Sequence, residues 1–272
     1  MTSPIALFDS GYGGLTVLQR IRQLLPQYDY IYLGDNARNP YGSRSFEIVY
    51  QYTLQSVRRL FDFNAPLVIL ACNTASAKAL RNIQQNDLPR IDPSRRVLGV
   101  IRPSVEAVGL YTKSHCVGVL GTQGTVDSLS YPIEIEKLWP DLKVYQQACP
   151  MWVPLVENGE FDKPGADYFV QKYLDMLMSQ SPDIDVIILG CTHYPLLADK
   201  IKKYLPDGVR LLSQGEIVAN SLRDYLARHA DMDQRLTKGG TIKLYTTENP
   251  GKFENTARIF FDGHLPVEHI TL

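Results

Sequence analysis

Two cysteines stand in matching contexts. Cys72 follows the apolar run Leu67-Val68-Ile69-Leu70-Ala71 and precedes Asn73-Thr74; Cys191 follows Val186-Ile187-Ile188-Leu189-Gly190 and precedes Thr192-His193, 119 residues later. Runs of branched apolar residues fit strands buried on both faces, as in a parallel sheet covered by helices. Each thiol then falls in the turn at the carboxyl end of its strand, ahead of a helical stretch that the pattern predicts to run on through Ala75, Ala77, Ala79, Leu80 and Ile83 in the first copy. Asn73 or Thr74 is a natural cap for that helix. A thiol at a helix start meets backbone N–H groups and the positive end of the helix dipole, so its pKa is expected to fall toward neutrality. Two such thiols can take up and deliver protons. A single buried cysteine is as readily a small apolar core residue; it is the matched pair that favours chemistry. Cys116 and Cys149 lack this context and read as structural.

Other chemistry-bearing residues fall at similar places. Asp9-Ser10-Gly11-Tyr12-Gly13-Gly14 forms a glycine-rich turn after the apolar stretch 5–8. A phosphate would be repelled by Asp9, so the turn suits an amino group paired to Asp9 and a carboxylate accepting from Ser10. A cysteine-dependent phosphatase needs an arginine six positions after its nucleophile; here Lys78 and Leu197 stand there. His193, two residues after Cys191, can tune that thiol or exchange its proton. A metal would need further ligands that the sequence does not offer at recognisable spacing. Glu157, in a proline-bracketed segment that carries Pro150 and Pro154, reads equally as a supporting carboxylate or a solvated surface one.

The elements that must position these residues alternate. Strands are expected at 5–8, 30–33, 67–71, 97–101, 116–120, 144–146 and 186–190, with helices between most of them, an irregular stretch over 149–160, and a further helix (217–229), strand (242–246), helix (253–261) and strand (267–272). Asp9 precedes Cys72 by 63 residues and Thr122 precedes Cys191 by 69, the mark of an internally duplicated α/β unit. Strand–helix alternation argues for doubly wound parallel sheets, whose ligands bind beyond the carboxyl ends of the strands. At 272 residues, 44% hydrophobic and 21% charged, the chain can bury a large core. A net charge of −1 gives no reason to expect nucleic acid or an anionic membrane as partner. No apolar run reaches the ~18 residues of a membrane span, and no leader pattern opens the chain. Four unpaired-looking cysteines fit a reducing compartment.

Five ordered motifs carry a resemblance that covers essentially the whole chain: Asp9-Ser10-Gly11-Tyr12-Gly13-Gly14, Pro40-Tyr41-Gly42, Cys72-Asn73-Thr74-Ala75-Ser76, Val153-Pro154-Leu155-Val156-Glu157 and Leu189-Gly190-Cys191-Thr192-His193-Tyr194-Pro195. The chain resembles the glutamate racemase branch of the cofactor-independent aspartate/glutamate racemase superfamily. The resemblance implies two pseudo-symmetric α/β domains facing each other across an active-site cleft, one formed by residues 1–97 with 212–272 and the other by 98–211. It implies that Cys72 and Cys191 act as two bases on opposite faces of the substrate α-carbon, one thiolate removing the proton and the opposite thiol returning one. Asp9 and His193 would be their proton partners, with Glu157 in support. Asp9, Ser10, Pro40, Tyr41, Gly42, Asn73, Thr74, Thr122, Thr125, Thr192 and His193 would hold the amino and carboxylate groups. It further implies glutamate as substrate, no cofactor and no metal, a homodimer, and a cytoplasmic role in supplying D-glutamate for peptidoglycan. Two turns depart from the usual pattern, Ile101-Arg102-Pro103-Ser104 and Gln214-Gly215. The rival readings are an aspartate racemase, against which His193 argues, a single-base isomerase or decarboxylase, which should lack one cysteine, and a non-catalytic binding protein, which would not need paired thiols.

Overall fold

Strands form where branched and aromatic residues are dense enough to cover both faces of a sheet. In the computed structural model, which describes residues 2–263 and 266–272, these are β1 (Ile5–Asp9), β2 (Tyr30–Gly34), β3 (Leu67–Leu70), β4 (Arg96–Gly99), β5 (Cys116–Gly121), β6 (Lys143–Ala148), β7 (Val186–Gly190), β8 (Arg210–Leu212), β9 (Ile242–Thr246) and β10 (Val267–His269). They make two sheets, ordered β10-β9-β2-β1-β3-β4 and β6-β5-β7-β8. Every strand pair is parallel. The inner order of the first sheet, β2-β1-β3-β4, is repeated by the second, so β5 corresponds to β1 and β7 to β3. The expected duplication is thus visible as topology, and β9 and β10 return to extend the first sheet beyond β2.

Alternation along each strand assigns the layers. In the first sheet Ile5, Leu7, Tyr30, Tyr32, Leu67 and Ile69 share one buried cluster with residues of the helices Gly14–Leu24, Gln214–Arg228 and Pro250–Ala257. Ala6, Phe8, Ile31, Leu33, Val68 and Leu70 point the other way, against the helix Phe46–Asp62 and the segment after Cys72. In the second sheet Val117, Val119, Val186 and Ile188 pack on Ile101, Val105, Tyr131 and Ile135. Leu120, Ile187 and Leu189 face Trp152, Val170, Leu174 and Leu177 instead. Both sheets are therefore covered on two sides, the α/β architecture expected from the sequence. The strand order reverses direction between β1 and β3, and again between β5 and β7, and these are the points where such sheets open a ligand crevice.

Several local expectations are corrected. The helix after Cys72 is not continuous: Asn73–Lys78 stops at Ala79, a short helical turn Leu80–Asn82 follows, and a wider turn Ile83–Asp87 leads into Leu88–Ile91. Its cap is Cys72 itself, whose Sγ accepts from the Ala75 N–H at 3.4 Å. After Cys191 comes a tight 3-10 turn, Tyr194–Leu197, before the helix Ala198–Tyr204. Within the stretch 149–160, read as irregular, Trp152–Glu157 is a helix; Pro154 lies in its first turn, where no N–H is needed. The closing strand covers Val267–His269 only, the helices expected at 217–229 and 253–261 begin earlier, at Gln214 and Pro250, and a further short helix, Ala230–Arg235, lies between them.

Trp152 anchors the short helix that carries Glu157. It is fully buried, its indole N–H donates to the Phe169 carbonyl at 3.2 Å, and its ring lies edge-on to Tyr194, 4.8 Å between centroids. Replacing Trp152 by Ala removes that contact surface and is expected to cost about 3–5 kcal/mol in denaturant unfolding.

Candidate active site

The carboxyl ends of the two sheets face each other, and each delivers a thiol. Cys72 lies two residues beyond β3 and Cys191 immediately beyond β7. Each is 6% exposed. Beside them, Asp9 ends β1 and Thr122 follows β5, as the duplication requires. Thr122 Oγ1 accepts from the Thr125 N–H at 3.3 Å, capping the turn Gln123–Asp127 as Cys72 caps its own.

Bonds between the two sheets' turns close the site. Thr192 donates to Asp9 Oδ2 at 3.4 Å, and Thr16 donates to the Thr192 carbonyl at 3.2 Å. Thr74 Oγ1 lies 3.0 Å from Thr122 Oγ1 and 3.4 Å from Thr125 Oγ1. The Gly124 N–H donates to the Gly42 carbonyl at 2.8 Å. Lys78, nearly buried, donates to the Arg44 carbonyl at 2.7 Å and so ties the loop carrying Tyr41 and Gly42 to the Cys72 helix. Tyr41, also buried, donates to Asp35, whose other oxygen accepts from Thr247. Of the residues singled out from sequence, Asp9, Ser10, Tyr41, Asn73, Thr74, Thr125, Thr192 and His193 are buried around the two thiols, and Gly42 and Thr122 are half-buried in the same contacts. Pro40 is exposed at the outer edge of its loop.

Glu157 is bonded to His193. Its Oε1 lies 2.9 Å from His193 Nε2, and both its oxygens accept from the Asn39 amide, at 3.1 and 3.3 Å. The reading of Glu157 as a solvated surface carboxylate is set aside by these bonds. On the other side of the ring, Nδ1 stands 3.8 Å from Cys191 Sγ. Asn39 was missed from the sequence because an asparagine ahead of a proline reads as turn chemistry. Tyr131 and Gln214 are bonded to Asn73, and Ser104 to Gln214; the sequence reading did not single these out as site residues, and only the two unusual turns, Ile101-Arg102-Pro103-Ser104 and Gln214-Gly215, hinted at them.

The residues 13–222 match the model of the family described as Asp/Glu/Hydantoin racemase. The chain belongs to this family. It is 39% identical over 269 residues to the glutamate racemase of Persephonella marina, covering 98% of this chain and 97% of that one. Its fold matches the crystal structure of a glutamate racemase from Bacillus anthracis with a TM-score of 0.90 and 36% identity, covering 99% of this chain and 98% of that one. It also matches the Francisella tularensis glutamate racemase crystallised with D-glutamate, with a TM-score of 0.88, 30% identity and coverage of 99% and 98%.

The two thiols of this racemase-family chain stand in unlike surroundings. Cys72 does not follow the expectation of a lowered pKa: burial first, then the charges of Asp9 and Cys191, push it up to about 12 against its hydrogen bonds with the Ser10 hydroxyl and the Ala75 N–H. Burial likewise raises Asp9, although His193 and the N–H groups of Gly11 and Gly14 pull the other way. For His193 burial disfavours the cation, but hydrogen bonds and charge from Cys191 and Glu157 outweigh it and hold the ring at about 10. A charged imidazolium therefore lies against Cys191, and among the described residues no cation is bonded to Cys72. Nor do any three His, Cys, Asp or Glu side chains among the described residues group to hold a metal.

Two outcomes follow from this geometry. His193 is raised from 6.5 to about 10 on folding, so its contribution to stability is complete below pH 6.5 and lost as the pH climbs through 10. Glu157→Gln should flatten that alkaline loss, read as a smaller difference between unfolding midpoints at pH 6.5 and 10 than in wild type. Gly13 is needed for closeness rather than for an unusual backbone: a Cβ there would stand 2.2 Å from Thr192 Oγ1 and 2.5 Å from His193 Nδ1. Gly13→Ala should keep the circular dichroism of the fold but shift the imidazole signals of His193 in NMR spectra.

Proposed function

We propose that this protein interconverts L- and D-glutamate by proton transfer at the α-carbon, with Cys72 on one face of the substrate and Cys191 on the other. The observation that carries the reading is the pair of buried thiols at corresponding switch points of two facing sheets, in a chain similar over its full length to glutamate racemases. An α-proton of an amino acid is weakly acidic, and its removal leaves a carbanion beside a carboxylate. Oriented donors and the exclusion of water must supply the stabilisation. The buried N–H and hydroxyl groups of Ser10, Asn73, Thr74 and Thr192 are the donors, and Asp9 pairs the ammonium.

In this scheme Cys72, held protonated by its surroundings, is the acid that delivers a proton in one direction of reaction. Cys191 is then the base on the opposite face and its sulfur takes the α-proton, while His193, a cation steadied by Glu157, stands beside it. In the reverse direction the roles exchange. We place the division between the lobes at 97/98 and 211/212, and propose a homodimer acting in the cytoplasm to supply D-glutamate for peptidoglycan. Support for these finer points is the full-length similarity to glutamate racemases. The alternative of an aspartate racemase shares the mechanism and differs only in side-chain fit.

The test is incubation of the purified protein with L-glutamate in D2O without pyridoxal phosphate, with L-aspartate in parallel. Expected are loss of optical activity and deuterium at Cα with glutamate alone. Turnover of aspartate only would replace the substrate; inertness toward both would overturn the proposal. Cys72→Ser and Cys191→Ser should each lower kcat by at least about a hundredfold, and full activity in either would refute the two-thiol scheme.

A further inference from the structure

The Gln214 side chain is buried where the chain passes from β8 back toward the first sheet, next to the other crossing, at Val100 between β4 and the helix Ile101–Val108. Its Nε2 donates to Tyr131 Oη at 2.9 Å and to Ser104 Oγ at 2.8 Å, with the Val100 carbonyl at 3.2 Å. Its Oε1 accepts from Asn73 Nδ2 at 2.6 Å. Tyr131 in turn donates to Asn73 Oδ1 at 2.8 Å. The amide of Gln214, the phenol of Tyr131 and the amide of Asn73 thus form a closed ring in which each group donates once and accepts once.

The ring has a fixed direction, and its source can be named. An amide can be turned end for end at little steric cost, so its orientation is set by what surrounds it. The Val100 carbonyl can only accept, and it also takes the Ser104 hydroxyl proton at 3.0 Å. Gln214 must therefore present nitrogen to that side and oxygen to Asn73. Asn73 must answer with nitrogen, which leaves its oxygen for Tyr131. With those bonds made, the Asn73 amide keeps one remaining N–H and one remaining lone pair, in a single arrangement.

We infer that Gln214 is a positioning residue for the proposed reaction: it reads the polarity of the crossing at Val100 and fixes which end of the Asn73 amide, next to Cys72, meets the substrate. Ser104 and Tyr131 act with it. The inference rests on the racemase reading and deepens it, because it gives a role to the Gln214-Gly215 turn that sets this chain apart from the usual pattern.

The test is a double-mutant cycle on the full chain. Racemisation kinetics are measured for wild type, Gln214→Met, Asn73→Ala and the double variant, with unfolding midpoints alongside. Methionine keeps the length of glutamine and removes its hydrogen bonds. Gln214→Met is expected to lower kcat/KM about tenfold or more, with the loss in the same parameter, kcat or KM, as in Asn73→Ala. The double variant should match Asn73→Ala within about twofold, since neighbours acting through one group do not add. Additive losses, or wild-type kinetics in Gln214→Met, would overturn the inference. Should Gln214→Met not fold, Tyr131→Phe opens the ring from its other side by deleting one hydroxyl, and the same cycle with Asn73→Ala decides. Wild type inert toward glutamate and aspartate would remove the racemase reading and the inference with it; an active wild type with an additive cycle would remove the inference alone.

Discussion

Four ionisable side chains are buried together between the two sheets, and the rest of the structure answers to that constraint. Asp9, Cys72, Cys191 and His193 are all buried. Burying such groups without partners is costly, so every one is bonded. Asp9 accepts from the Gly11 N–H and Thr192, Cys72 meets Ser10 and the Ala75 N–H, and His193 lies between Cys191 and Glu157. One of them, from Thr192 to Asp9, runs from one sheet's turns to the other's.

Duplication supplies the two-sidedness, and divergence of the turns supplies the asymmetry. The repeated order β2-β1-β3-β4 and β6-β5-β7-β8 puts a thiol beyond the third strand of each unit. A chiral amino acid presents unlike groups to its two sides, so two identical half-sites would not fit it. The halves differ where that matters. Asp9 ends β1 where Gly121 ends β5, leaving a carboxylate near Cys72, and His193 with Glu157 places a cation near Cys191. A shared fold thus gives the two thiols unlike electrostatic surroundings.

The strands, their parallel pairing and the position of both thiols at strand ends were legible because branched apolar runs and glycine-rich turns are local signals. The same holds for Asp9, Thr122 and His193, which sit beside those runs in sequence. Less legible were the helices near prolines and the segment after Cys72, where tertiary packing overrides propensity. Trp152–Glu157 is a helix because Trp152 packs against Tyr194 and Tyr173, partners far away in sequence.

By itself, then, the amino-acid order determined the duplicated α/β plan, the matched thiols and the motifs that mark the family, since each depends on neighbours within a few residues. The tertiary structure decided the electrostatics and the connections. Burial turned Cys72 from the expected easily ionised thiol into one pushed up to about 12, because desolvation outweighed its two hydrogen bonds. It brought Glu157 onto His193 across 36 residues and Gln214 onto Asn73 across 141. Such pairings depend on how two sheets meet, and no local pattern in the chain records that.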